Sequence, residues 1–244
     1  MSRFFIPPES IKAGLAVISG EEAHHILDVM RLKKGDRIQA FDGSGKLYDG
    51  KIIGTEAKQV RVEIEAVRQA LPASEATLTL VQALPKKNKM DYIVEKCTEL
   101  GVEAIVPVQT ARTIVKLDKD GQSGRKRRWQ KIALEAAKQS GRTTIPEVKS
   151  LTPWSKVLAM LGDFDLKLLF CLSEKTEKLK DVLRYQNQAK RVAFLIGPEG
   201  DFTPEEVSAA LKAGCLSVSL GENVLKSDTA AIAALTMLNY ELKE

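Results

Sequence analysis

The chain has very little histidine and cysteine. Only His24 and His25 can offer imidazole, and Cys97, Cys171 and Cys215 are widely separated, with no CxxC pair. No zinc spacing and no disulfide framework follows from such a set, so the cysteines read as small buried hydrophobes and the chemistry as one that needs no transition metal. Long apolar runs are also missing. Nothing approaches the ~20 residues that span a bilayer, and the opening Met1-Ser2-Arg3-Phe4-Phe5-Ile6-Pro7-Pro8 is broken by proline too soon for a signal peptide. The expectation is a cytoplasmic protein with no membrane segment. Neither common phosphate signature occurs, GxGxxG or GxxxxGKS/T, which argues against dinucleotide and nucleoside-triphosphate sites. Internal repeats and low-complexity tracts are absent too.

What is present is a globular composition: 244 residues, 44% hydrophobic and 28% charged, enough for one large domain or two modest ones. The net charge of +5 is unevenly placed. Residues 82–149 hold 15 Lys/Arg against 8 Asp/Glu, whereas residues 1–72 hold 11 against 10 and residues 150–244 hold 11 against 13. A basic stretch of this kind is either a solvated face or a surface that releases counterions from a phosphate backbone, and the second reading points to RNA. Within it, the run Arg125-Lys126-Arg127-Arg128 suits phosphate positioning better than base reading.

The pattern of elements changes near residue 70. Before it, Glu21 to Lys33 reads as a short helix with an acidic start and Gly35 beyond its end. Arg37 to Phe41, Tyr48 to Ile53 and Gln59 to Val67 alternate as strands, with a turn at Asp42-Gly43-Ser44-Gly45. Short strands at this spacing suggest a small barrel over residues 1–72. After a boundary at residues 69–74, strands alternate with helices. Leu78 to Ala83, Ala104 to Val108, Leu166 to Leu172, Arg191 to Ile196 and Ser217 to Leu220 are strands. Lys89 to Gly101, Arg127 to Ser140, Lys178 to Tyr185, Pro204 to Ala213 and Ala230 to Leu242 are helices. This predicts an α/β domain over residues 73–244 with a parallel sheet covered on both faces. Asp118 to Arg125 reads as a flexible loop.

Two loops carry the chemistry. Ile196-Gly197-Pro198-Glu199-Gly200-Asp201-Phe202-Thr203-Pro204 leaves an apolar strand and enters a helix that Thr203 caps and Pro204 opens. Ligands of open α/β sheets bind beyond the carboxyl ends of strands, where this loop lies. Glu199 would repel a pyrophosphate, so a nucleoside with a sulfonium and an amino-acid tail fits better. The second loop, Leu220-Gly221-Glu222-Asn223-Val224-Leu225-Lys226-Ser227-Asp228-Thr229, also joins a strand to a helix. The two make opposite walls of one pocket in this reading. Asp228 serves either as a chemical group or as a plain N-cap.

The pairing of LIGPEGDFTPEE with SLGENVLKSDTAA resembles the RsmE family, the 16S ribosomal RNA uridine-N3 methyltransferases of the SPOUT superfamily. The likeness extends over Arg3-Phe4-Phe5, His24-His25 to Asp36, Phe41-Asp42-Gly43, Ala83 to Val102 and Arg128 to Arg142. It implies a PUA-like barrel followed by a SPOUT domain with a C-terminal trefoil knot, a homodimer, S-adenosylmethionine in the knot, and ribosomal RNA of the small subunit as partner. Leu172, Gly197, Pro198, Glu199, Gly200, Leu220, Gly221, Leu225 and Thr229 would line the cofactor pocket by this likeness. Arg3, His24, Arg31, Lys86 and Arg128 would contact RNA. His24 and Arg31, seven apart, would share a helical face. The chain departs from the family at Lys226, Ser227 and Asp228, where Arg, Thr and Glu are usual, at Ala111, and at Asp201, where Gly is frequent.

Methylation at uridine N3 requires removal of the N3 proton. Asp228 is the candidate base, and Lys226, Arg112 and Arg142 are the candidates for stabilising the uridylate anion. Two other readings stay open: a different SPOUT reaction such as ribose 2′-O methylation, and a non-catalytic RNA-binding protein.

Overall fold

A computed structural model of the chain describes residues 3–56, 58–69, 76–113, 119–173 and 175–242. Most of the expected boundary segment, and Asp118, lie outside the described residues. The chain divides into two compact units: residues 1–72 with 137–145, and residues 73–136 with 146–244.

The first unit is a six-stranded sheet. Its strands are β1 (Arg3–Phe5), β2 (Ile11–Lys12), β3 (Leu15–Ile18), β4 (Arg37–Phe41), β5 (Lys46–Gly54) and β6 (Val60–Gln69), in the order β1-β4-β5-β6-β3-β2. Every pairing is antiparallel except β1 with β4. Alternation decides the buried face. Ile38 and Ala40 of β4, Tyr48 and Ile52 of β5, and Val60 and Val62 of β6 turn inward onto Phe4, Ile6, Ala16 and Ile18. The three-residue β1 and four-residue β3 are too short for a period to announce them. Residues 137–145 join this unit through Thr144, which bridges Gly43 and Ser44, and through Ile145 N–H on the Gly43 carbonyl at 3.1 Å. No local pattern in the sequence signals that excursion.

The helix expected over Glu21 to Lys33 is shorter and changes type. Helix α1 (Gly20–His24) runs into a π-helical turn, His25–Val29, closed by Met30 N–H on the His25 carbonyl. Arg31 then adopts φ 57°. His24 and Arg31 therefore do not share a helical face, which corrects the sequence reading. The wider turn keeps Ile26 buried, and the left-handed Arg31 takes the chain off the helix axis.

The second unit is a parallel sheet. Its strands are β7 (Thr77–Ala83), β8 (Ala104–Gln109), β9 (Glu147–Val148), β10 (Thr152–Pro153), β11 (Leu166–Phe170), β12 (Glu177–Lys178), β13 (Arg191–Ile196) and β14 (Leu216–Ser219). The order is β10-β8-β7-β13-β11-β14-β12, with β9 also on β8. Its helices are α2 (Lys89–Glu99), α3 (Lys119–Ser140), α4 (Trp154–Met160), α5 (Leu179–Tyr185), α6 (Pro204–Lys212) and α7 (Ser227–Leu242), and α3 runs on into residues 137–140 of the first unit. Val192 to Ile196 are all buried, as a strand covered on both faces must be.

The predicted flexible loop is not one: Lys119 to Arg125 form the first two turns of α3. Gly121 and Gly124 each cost a helix about 1 kcal/mol. The good helix formers from Arg125 onward, with Trp129 and Ala133 buried below them, extend the helix upstream. The cysteines are buried, and burial raises the thiols of Cys97 and Cys215 to about 12.

Candidate functional site

Strands β13, β11 and β14 lie side by side and point the same way, so their carboxyl ends open onto one crevice. The loops leaving them, together with the start of α7, enclose a cavity of about 390 Å³, in the range of small-molecule sites. Leu172, Gly197, Pro198, Glu199, Gly200, Leu220, Gly221 and Leu225 all line it, as does Lys226. Thr229 does not, and its neighbour Ala230 takes its place. The walls are largely apolar, through Phe170, Ile196, Val218 and Val224.

Each loop has an identifiable reason for its shape. Thr203 caps α6 in a reciprocal box with Glu206, and Pro204 occupies the first turn. Glu206 is also spent on the backbone N–H of Ala111, at 2.7 Å, which brings the loop after β8 against this one. Arg112 donates to the carbonyls of Gly200 and, at 3.3 Å, Phe202. A Cβ on Gly197 would lie 2.9 Å from the Asp201 carboxylate and 3.2 Å from its Cα, so any other residue there would push this turn aside. Gly221 has open space around it but φ 125°, so its need for glycine is conformational.

A buried relay ties the two loops together. Ser227, 5% exposed, donates to the Gly197 carbonyl at 2.6 Å and accepts from the amide of Gln82 at 2.9 Å. Gln82 is fully buried at the carboxyl end of β7, beside β13. A second link is ionic. Lys89 Nζ lies 3.5 Å from Glu199 and 3.3 Å from Asp228 Oδ1, and the backbone N–H of Lys86 also reaches Glu199 at 3.1 Å. Asp228 sits within the first turn of α7, so it is not an N-cap; its carboxylate is held by Lys89.

Gln82, Lys89 and Ser227 have no assigned role in the sequence reading, though two of them left a trace. Gln82 is an amide near the end of a strand whose preceding two residues, Leu80 and Val81, are apolar. Lys89 is a cation in the first turn of a helix, where the macrodipole disfavours it unless a carboxylate is near. Asp91, two residues on and facing the other side of the helix, holds Arg128 and accepts from the indole N–H of Trp129 at 3.1 Å.

The other sequence-predicted residues fall elsewhere. Arg142, Arg3, His24 and Arg31 belong to the first unit and do not line the cavity. Arg142 bonds Thr144 Oγ1 at 3.1 Å. Arg3 is committed to Gln39 at 2.8 Å and to the Gly141 carbonyl. His24 pairs with Asp28 at 2.6 Å and stays exposed.

Comparison with known proteins decides the family. The model of an RNA methyltransferase domain matches residues 72–239, and that of an RNA methyltransferase PUA domain matches residues 18–65. The chain belongs to this RNA methyltransferase family. Within the family it is 30% identical to the ribosomal RNA small subunit methyltransferase E of Bacillus subtilis, covering 99% of this chain and 97% of that protein. The corresponding protein of Synechocystis is also 30% identical, over 99% of this chain and 78% of its own length. The same enzyme of Neisseria gonorrhoeae, solved bound to S-adenosyl methionine, superposes with a TM-score of 0.84 at 30% identity, over 98% of this chain and 97% of that one. The N-terminal unit is thus PUA-like and the C-terminal unit carries the family's methyltransferase domain. Among the described residues no helix is long and apolar enough to cross a membrane.

Proposed function

We propose that the chain transfers a methyl group from S-adenosylmethionine to N3 of a uridine in 16S ribosomal RNA, as a cytoplasmic homodimer whose cofactor loops form a trefoil knot. The single observation that carries this reading is the cavity at the ends of β13, β11 and β14, in a chain of the RNA methyltransferase family. The strand order, in which β14 lies beyond β11 from β13, is compatible with a knot.

The residues present suit this cofactor. Apolar walls accommodate an adenine ring, and the carboxylate of Asp201 suits a ligand that carries positive charge. Glu199 opposes a pyrophosphate. When bound, the cofactor supplies an electrophilic methyl group. The chain must then align the uracil and take up the N3 proton. Asp228 does not itself line the cavity; its Oδ1 is engaged by Lys89 beside Glu199, and its Oδ2, which bonds no other described residue, is the candidate acceptor of that proton. Lys226 is exposed at the cavity and makes no ion pair with another described residue, so it is the better placed stabiliser of the uridylate. Arg112 is committed to loop carbonyls and holds the wall instead.

The test is methylation of small-subunit RNA from a strain lacking this protein, followed by nucleoside mass spectrometry and mapping. The expected product is 3-methyluridine. A 2′-O-methylated nucleoside would move the reaction to ribose, and absence of both product and calorimetric cofactor binding would leave a non-catalytic RNA-binding protein.

A further inference from the structure

Asp201 is the one non-glycine residue of the cavity wall with a positive φ, 60°. Side chains disfavour that conformation, although Asp and Asn tolerate it best. Its carboxylate is held in place. Oδ2 accepts the backbone N–H of Leu172, two residues past the end of β11, at 2.8 Å, and Oδ1 occupies the space a Cβ on Gly197 would need. The two acids of the wall are compensated differently. Glu199 faces Lys89, but among the described residues no lysine or arginine pairs with Asp201, whose recorded side-chain partner is a neutral N–H. A fixed carboxylate between apolar walls acts through less solvent screening than one on an open surface. The opposing charge, Lys226, is exposed on the other loop.

Resting on the reading of this cavity as the S-adenosylmethionine site, we infer that Asp201 determines a preference for the positively charged methyl donor over its spent product. The two ligands differ by the methyl group and by one positive charge on sulfur. Transfer of the methyl group with its positive charge to N3, balanced by loss of the N3 proton, leaves a neutral thioether. A carboxylate without a cation partner gains from the sulfonium and loses that gain once the methyl has gone. Asp201 thereby favours loading of the donor and departure of the product.

The test is calorimetric binding of S-adenosylmethionine and S-adenosylhomocysteine to the full chain and to its Asp201→Asn and Asp201→Gly variants. Asp201→Asn keeps an acceptor for Leu172 and tolerates the backbone angle. It is expected to weaken the donor by roughly three- to tenfold and the product by less than about twofold, with the difference shrinking as salt rises. Asp201→Gly relieves the backbone and removes the Leu172 bond; it is expected to lose the same discrimination, whatever it does to both affinities in common. A donor-to-product ratio unchanged in both variants overturns the inference. So does equal weakening of both ligands by Asp201→Asn, which would make Asp201 a strut for Leu172. If the unaltered chain binds neither ligand, the reading of the cavity itself falls, and this inference with it.

Discussion

The buried Asp42 of the first unit and the polar groups at the cavity of the second are satisfied in different ways. In the first, Asp42 is 7% exposed and its partners are close in sequence: Ser44 supplies a backbone and a side-chain hydrogen bond, and Tyr48 a hydroxyl at 2.9 Å. At the cavity of the second, the partners are remote. Gln82 meets Ser227 across 145 positions, Lys89 meets Asp228 across 139, and Lys86 meets Glu199 across 113. Local satisfaction finishes a turn. Long-range satisfaction brings polar groups from β7, α2, β13 and α7 to one end of one sheet, at the cavity. Polar groups that are costly to bring together and converge on strand ends mark the place where the fold is arranged for chemistry.

The sharpest way to break this comparison is Lys89→Ala. It leaves Glu199 and Asp228 facing each other without their cation, and the loss of methyl transfer is expected to be about 100-fold or more in kcat/KM. Lys89→Arg should recover part of it. If Lys89→Ala transfers methyl groups at the original rate, the remote links are structural in the same sense as the Asp42 cluster. The relay comes next. Ser227→Ala strands the Gly197 carbonyl and the Gln82 amide, at a cost of about 1–3 kcal/mol in urea unfolding, and should weaken cofactor binding by roughly tenfold as the two loops lose their tie. Ser227→Thr keeps the hydroxyl and should stay close to the original affinity.

The sequence displayed the period of the elements and the position of the two loops, and it left their fastening hidden. The alternation of β4 to β6 and the apolar run of β13 are local, as are the Thr203 cap and the Pro204 start of α6, so all were legible. The convergence of the loops after β11, β13 and β14 depends on a strand order that no periodicity encodes, and the family resemblance supplied it. Gln82, Lys89 and Ser227 escaped because each acts through a partner more than 100 positions away. Two errors were of a different kind. The flexible loop expected over Asp118 to Arg125 is helical from Lys119, because the rest of α3 carries its glycines into the helix. His24 and Arg31 were placed on one face by a helical period that the π turn at His25–Val29 interrupts.

On the other side of the comparison, Asp42→Ala should cost about 1–3 kcal/mol of stability and leave calorimetric cofactor binding unchanged. The effect carries a pH signature. Burial works to raise the Asp42 pKa, but the hydrogen bonds from Ser44 and Tyr48 outweigh it and hold the carboxyl below its usual value of 3.8. A group depressed in the folded state contributes its stability above the unfolded value and loses it as pH falls through the folded one. The difference between Asp42→Ala and the original chain should therefore be largest near neutrality and shrink below about pH 4. Tyr48, pushed up to about 12 by burial and by Asp42, stays protonated throughout that range.

The smallest effect concerns what the first unit does at its surface. Arg31 is exposed and held at φ 57°, beside exposed Val29 and Met30 and followed by Lys33 and Lys34. If the element binds RNA through its cations, Arg31→Ala should weaken binding by roughly two- to fivefold and lower the salt slope by about 1, evenly across RNA sequences. Arg31→Gly separates charge from backbone. It relieves a left-handed residue, which raises stability, while glycine's freedom in the unfolded chain offsets part of that gain, leaving a net change of roughly 0–1 kcal/mol. A variant as stable as the original or more so that nevertheless binds RNA less tightly would show that this strained turn is kept for its charge. Equal RNA affinity in Arg31→Gly and the original chain would remove Arg31 from the interface and leave the basic stretch of residues 82–149 to carry the phosphate contacts.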